Sequence, residues 1–288
     1  MAKFILSAFA DETNQSLDQQ IETLQEENIP LIELRNVDGK SCADLTLEEA
    51  DAVKKKLDRG GIGLSALGSP YGKFPIEMPF EEHFRRFRHG LVLCQHLDCH
   101  QMRIFSFFVP NGQDSARWTH EVLERLEQML EEAERAGIRL IHENEKGIFG
   151  YNIENCAVLL ARFHGRMGFV FDPANFIQCG VDTQLAYEAL HDNITYMHIK
   201  DALAADGAVV RAGHGDGHIA DILKKLDQER EYETILTVEP HLTVFNGLDR
   251  LQKEQVKHHE VYSSQKEAFH AACEAVRHLV EQIGEVNV

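Results

Sequence analysis

Eight times along this chain a short apolar run is followed by a longer stretch with helical periodicity, and this alternation restricts the fold more than any other feature. The candidate strands are Phe4 to Phe9, Leu31 to Arg35, Ile62 to Leu67, Gln101 to Ser106, Ile138 to Glu143, Gly168 to Asp172, Thr195 to Ile199 and Thr234 to Glu239. The helical stretches lie near 16–28, 46–60, 80–98, 116–136, 153–164, 182–191, 218–230 and 264–283. In the fourth, Val122, Leu126, Met129, Leu130 and Ala133 share one face, as a 3.6-residue period requires. Ser16, Thr46 (with Glu49 three residues on) and Asp182 stand at helix starts as N-caps. Eight β-then-α units in 288 residues predict an α/β fold, a single (β/α)8 TIM barrel over 1–288, in preference to a doubly wound sheet. The first βα turn carries no G-x-G-x-x-G, which argues against a dinucleotide-binding fold. The long polar segment 246–264 reads as a loop or an extra helix before the last helix, with a lid or dimer contact as the alternative.

Composition narrows the function classes. The formal net charge is −18, so a phosphate-backbone partner is disfavoured and no nucleic acid is expected. The six cysteines form no C-x-x-C pair and are spread along the chain, as free thiols in a reducing compartment would be. The apolar run at the N-terminus meets Asp11 and Glu12 too soon for a signal peptide, and no run approaches a membrane span. A cytoplasmic protein is the expectation, with a homo-oligomer left open.

In a (β/α)8 barrel, function gathers at the C-terminal ends of the strands. The fifth candidate strand ends in His142-Glu143-Asn144-Glu145, and the sixth in Phe171-Asp172-Pro173-Ala174-Asn175. The seventh reads Tyr196-Met197-His198-Ile199-Lys200-Asp201, and the eighth ends in Val238-Glu239-Pro240-His241. Four consecutive strands therefore finish in Glu, Asp, His and Glu. Neighbouring strands lie about 4.8 Å apart, so such side chains can converge. Any one of them could simply be a polar strand end, but four in succession after apolar runs point to a site. Three carboxylates and one imidazole suit one divalent cation: Mn, Mg, Co or Zn.

The chain resembles the xylose isomerase-like sugar phosphate isomerase/epimerase family, itself related to AP endonuclease family 2. The resemblance runs from the first strand to about residue 245. It is carried by Phe9-Ala10-Asp11-Glu12, Glu33-Leu34-Arg35, Ser69-Pro70-Tyr71-Gly72-Lys73, Arg103-Ile104-Phe105-Ser106, His142-Glu143-Asn144-Glu145-Lys146, Phe171-Asp172-Pro173-Ala174-Asn175-Phe176, His198-Ile199-Lys200-Asp201, Gly213-His214-Gly215-Asp216-Gly217 and Glu239-Pro240-His241. It implies that Glu143, Asp172, His198 and Glu239 hold one divalent cation, and that Glu143 and Glu239 also serve as acid and base. The implied activity is a sugar or sugar phosphate isomerase or epimerase, an enzyme of carbohydrate metabolism working through a metal-stabilised enediolate. Proton return on the opposite face gives epimerisation, and return at the neighbouring carbon gives aldose–ketose isomerisation.

Many relatives carry His where this chain has Asn175 and Glu145, which places a His-based role at either position in doubt. Both remain candidate substrate contacts, because Asn175 can hydrogen-bond a hydroxyl. Arg35, Lys73, Lys200 and Arg211 are the cations expected at the barrel mouth, where a substrate phosphate or carboxylate would want them. Lys200 is favoured because it shares the strand face of His198. The Gly213 to Gly217 run reads as a tight loop, open to close approach by a ligand. Abasic-site endonucleases share the barrel but need a three-metal cluster with further histidines. The third and fourth strand ends here offer Ser69 and Ser106, the sixth offers Asn175, and Arg211-Ala212-Gly213 follows the seventh. The closer alternative is a metal-dependent dehydratase or lyase acting on a polyol or related hydroxy-keto compound, since it shares enolate formation.

Overall fold

The structure, a computed structural model, describes residues 3–110, 115–245 and 257–283. All eight candidate strands form: β1 (Phe4–Ala8), β2 (Leu31–Leu34), β3 (Gly63–Gly68), β4 (Gln101–Ile104), β5 (Arg139–Glu143), β6 (Gly168–Phe171), β7 (Ile194–Ile199) and β8 (Thr234–Val238). They pair in parallel in the order β1-β8-β7-β6-β5-β4-β3-β2 and close into a barrel, as the alternation of the sequence required.

The eight expected helices surround it: α1 (Leu17–Glu26), α2 (Leu47–Gly60), α3 (Glu81–His96), α4 (Thr119–Ala136), α5 (Ile153–Arg162), α7 (Thr183–Leu190), α8 (Ile219–Glu229) and α9 (Gln265–Glu281). An additional short helix, α6 (Pro173–Gln178), follows β6 directly. Two small hairpins were also not foreseen, Asn36–Val37 with Lys40–Ser41 and Asp201–Ala202 with Val209–Val210. Thr46 and Glu49 form the expected capping box of α2, and Asp182 caps α7. Ser16 occupies the N-cap of α1 without a side-chain cap bond. Of the 246–264 segment, residues 246–256 lie outside the described residues. The part from 257 runs without helix to Ser264, which caps α9.

Two layers of core follow from the period of two along each strand. Outward-facing residues such as Met197 and Ile199 pack under the helices in the main core. Inward-facing Ala66, Ile141, Val170 and Tyr196 form a separate small cluster inside the barrel, with Ile235 against it. Two residues further along, the same inner faces present Glu143, Asp172 and His198. Four residues beyond Ile235 stands Glu239. The apolar layer is thus the floor of whatever gathers above it. None of the six cysteines is in a disulfide. Among the described residues, no helix is long and apolar enough to cross a membrane.

Candidate metal centre and active site

Glu143, Asp172, His198 and Glu239 each offer a ligand atom, and these atoms all lie within 4.8 Å of one another. All four residues are buried. The register explains the convergence: His198 pairs with Thr237 in the β7–β8 ladder, and Glu239 follows two residues later on the same face. Asp172 owes its orientation to the Asp-Pro start of α6. Its Oδ1 accepts from Asn175 N at 3.0 Å as the N-cap, with Pro173 in the first helical turn. That leaves Oδ2 turned inward.

Each glutamate shows one oxygen to the ring and has the other held by a buried arginine. Glu143 Oε1 lies 3.2 Å from His198 Nδ1, while Arg103 Nη1 donates to Oε2 at 2.6 Å. Glu239 Oε2 lies 3.4 Å from the same His198 Nδ1, while Arg35 Nη1 donates to Oε1 at 3.1 Å. Charge-assisted bonds of this kind fix carboxylate orientation. His198 Nε2 points away from the ring, toward Glu33 Oε2 at 3.0 Å.

These contacts move the protonation equilibria. Burial pushes the Asp172 carboxyl up to about 7, with Lys200 opposing and Glu239 and Glu143 adding to the rise. Burial acts the same way on Glu143 but is outweighed by the charges of His198 and Arg103, so its pKa falls below the ordinary carboxylate range. Glu239 is likewise held well below that range, by Lys200, His241 and His198 against burial. His198 rises well above the ordinary imidazole value because Glu143 and Glu33 overcome its desolvation.

The residues fit a divalent ion. His198 Nδ1 is buried without a hydrogen bond, and Asp172 Oδ2, which has none either, meets only the Lys200 ammonium at 2.8 Å. A buried polar atom left without a partner costs free energy, and coordination would satisfy His198 Nδ1 and add a second cation to Asp172 Oδ2. A second buried group, Glu12, Glu239 and His241, also has its ligand atoms within 4.8 Å. There the cation is already supplied by Arg35, which bonds Glu12 Oε1 at 3.2 Å and Glu239 Oε1 at 3.1 Å, and sits 3.5 Å from His241 Nε2. Burial raises the Glu12 carboxyl to about 8, with Arg35 opposing.

The candidate substrate contacts separate into groups. Arg35 is not an open cation at the mouth. It is buried, gripped by both oxygens of Asp11 at 2.9 and 3.0 Å, and acts on Glu239. Asn175 Nδ2 donates to Glu143 Oε1 at 3.1 Å and to Asn144 O at 2.9 Å, so its amide is committed to the ring. Its Oδ1 is buried without a hydrogen bond and is the part that can still meet a hydroxyl. Lys73 and Glu145 pair at 2.7 Å, half-buried, with the ammonium over the Phe105 ring. Lys200 enters the ligand ring itself, 2.8 Å from Asp172 Oδ2 and 3.0 Å from Glu239 Oε2. Arg211 pairs with Glu260, and among the described residues it makes no ion pair with the ring. The Gly213 to Gly217 loop wraps an internal carboxylate. Gly213, Gly215 and Gly217 donate their N–H groups to Asp201 at 2.9, 3.0 and 2.9 Å. His142 faces out of the barrel, against Ser106 and the Phe169 ring.

Glu33 and Arg103 were not expected in the site. The signal was present in Ile32-Glu33-Leu34 and Met102-Arg103-Ile104, where a charge interrupts an apolar strand and must find a buried partner. Which partner it finds depends on barrel closure.

Solved structures show how widely this architecture is shared. The chain is similar to a D-tagatose 3-epimerase-like protein (TM-score 0.72, 16% identity, 98% of each chain covered). It is similar to the probable 3-DHS dehydratase AsbF of Bacillus anthracis, involved in petrobactin synthesis (TM-score 0.73, 13% identity, 96% of this chain and 99% of that one). It is also similar to the IOLI protein with a binding zinc atom (TM-score 0.73, 15% identity, 99% of this chain and 100% of that one). At these identities the likeness is one of fold. No curated protein matches the sequence. The profile described as xylose isomerase-like TIM barrel matches residues 23–280, most of the chain. The chain belongs to the xylose isomerase-like TIM-barrel family.

Proposed function

We propose that this protein is a divalent-metal-dependent isomerase or epimerase of a sugar, moving a proton next to a carbonyl. The observation that carries the reading is the pair Glu143 and Glu239. They come from different strands, flank His198 Nδ1 at 3.2 and 3.4 Å, and each keeps one oxygen inward. Glu143, Asp172, His198 and Glu239 would hold the ion, which supplies Lewis acidity that makes the C–H beside a bound carbonyl more acidic. One glutamate takes that proton, and the other returns one from its own side of the substrate. Arg103 and Arg35 keep the two carboxylates aimed, and the glutamate that returns a proton must first take one up from water. Asn175 Oδ1 is placed to accept from a sugar hydroxyl. The closed apolar floor of Ala66, Ile141, Val170 and Tyr196 excludes water from beneath.

Charge pairing favours a free sugar over a phosphorylated one. Arg35, Lys73, Lys200 and Arg211 all have acid partners, so a phosphate would have to displace a carboxylate to reach any of them. The similarity to both an epimerase-like protein and a probable dehydratase supports enolate chemistry in general.

The test is solvent deuterium incorporation into free ketoses and their phosphates, with and without chelator and added Mn²⁺. Metal-dependent exchange into a free ketose, with a new sugar formed, is the expected result. Loss of water from a hydroxy-keto acid or cyclic polyol, without exchange into any ketose, would replace this reading with the lyase.

A further inference from the structure

Lys200 lies two residues beyond His198 and turns to the same inner face. Its side chain is 2% exposed. The ammonium donates to Glu239 Oε2 at 3.0 Å and makes an ionic contact with Asp172 Oδ2 at 2.8 Å. These are the inward oxygens of the two residues. Asp172 Oδ1 is engaged in capping α6, and Glu239 Oε1 is engaged by Arg35. Lys200 therefore touches the same two oxygens that an ion in the ring would need.

We propose that Lys200 is a resident counter-cation of the site. It holds Asp172 and Glu239 together ahead of the ion, competes with the ion for their oxygens, and is released by it toward the substrate. The proposal rests on the reading of the ring as a divalent-ion site. Like charges a few ångströms apart in a buried site repel, so binding of one weakens binding of the other. The same charge offsets repulsion among three converging carboxylates, which would otherwise strain the ion-free fold. Once moved off these oxygens, the ammonium has three donors to offer a sugar oxygen.

The experiment compares wild type with Lys200→Met, which removes the charge and keeps an apolar stem. Mg²⁺ and Mn²⁺ are titrated calorimetrically into chelator-stripped protein, and melting is followed with and without ion. The variant is expected to bind the ions about tenfold or more tightly than wild type, the direction set by removing a nearby like charge. Its ion-free melting temperature should fall, and ion should restore most of the loss. If wild type binds ion and the variant binds no more tightly, the counter-cation role is overturned while the ion site stands. If wild type binds neither of these ions, nor Co²⁺ or Zn²⁺ in the same titration, the ion reading fails and this proposal falls with it. Should the variant not fold, the Lys200 ammonium resonance of wild type is followed by NMR during Mg²⁺ titration. A marked shift at saturation supports release, and an unmoved resonance overturns it.

Discussion

Glu33 Oε2 accepts a hydrogen bond from His198 Nε2 at 3.0 Å, joining β2 to β7 across the interior of the barrel. The same carboxylate accepts from Tyr196 Oη at 3.0 Å and from Thr237 Oγ1 at 3.2 Å. With three donors converging on it, Glu33 keeps the His198 ring from turning and assigns Nε2 the proton. Nδ1 is then the nitrogen that, on losing its own proton, would offer a lone pair to an ion among the carboxylates. Outer carboxylates that orient ligand imidazoles in this way commonly govern metal affinity.

Glu33→Gln should accordingly weaken divalent-ion binding by roughly 10- to 100-fold, the usual cost of losing such an orienting partner. Calorimetric titration with Mn²⁺ reads this directly. Affinity equal to wild type would mean that the imidazole is oriented without Glu33.

Glu143→Gln and Glu239→Gln remove a proton carrier but keep the shape and the arginine contacts at Arg103 and Arg35. Each variant should lower the rate of solvent deuterium exchange by on the order of 10² to 10⁴, the contribution expected of a positioned general acid or base. Exchange and product formation are to be measured separately. A residue whose variant still exchanges at the wild-type rate has no part in proton transfer.

Gly215→Ala tests the loop around Asp201. A Cβ at residue 215 would fall 2.4 Å from Asp201 Oδ1 and 2.6 Å from Ala202 O, neither of which can withdraw easily. Breaking this network and crowding the loop should cost about 1–3 kcal/mol. Chemical denaturation of the variant against wild type measures it. An unchanged midpoint would show that the loop relaxes freely.

Acid should destabilise the fold through two neutral histidines. Burial lowers His142 from 6.5 to about 3. Burial lowers His83 from 6.5 to about 4, with Arg86 and Arg125 adding to the effect. Between 6.5 and these lower values the unfolded chain takes up protons that the folded chain refuses. The unfolded state then binds more protons, so stability rises with pH and is lost as pH drops through that window. The slope from each histidine approaches about 1.4 kcal/mol per pH unit. The raised carboxyls of Asp172 and Glu12 act in the opposite direction over the same window, so the histidine effect is read as a difference: from pH 7.5 to 5 the wild-type urea midpoint should fall relative to that of His83→Gln. A variant with the wild-type slope would remove His83 from the account.

Much of the architecture was legible because it rests on local order. A period of two in Ile141-His142-Glu143 and Tyr196-Met197-His198 states which residue faces inward, whatever the rest of the chain does. The same order, together with the apolar runs before them, marked the ends of β5 to β8 as the place where four candidate ligand residues would meet. The pairing of charges was not legible in this way. Arg35 looks like a free cation at a strand end until closure brings Glu239 to it across 204 positions of sequence. Lys200 looks like a substrate contact until the β7–β8 register sets Glu239 beside it. The glycine-rich loop looks open to a ligand until Asp201 is seen inside it. Periodicity is a relation between neighbours in the chain, whereas a buried charge is answered by whichever group the closed barrel brings within about 3 Å.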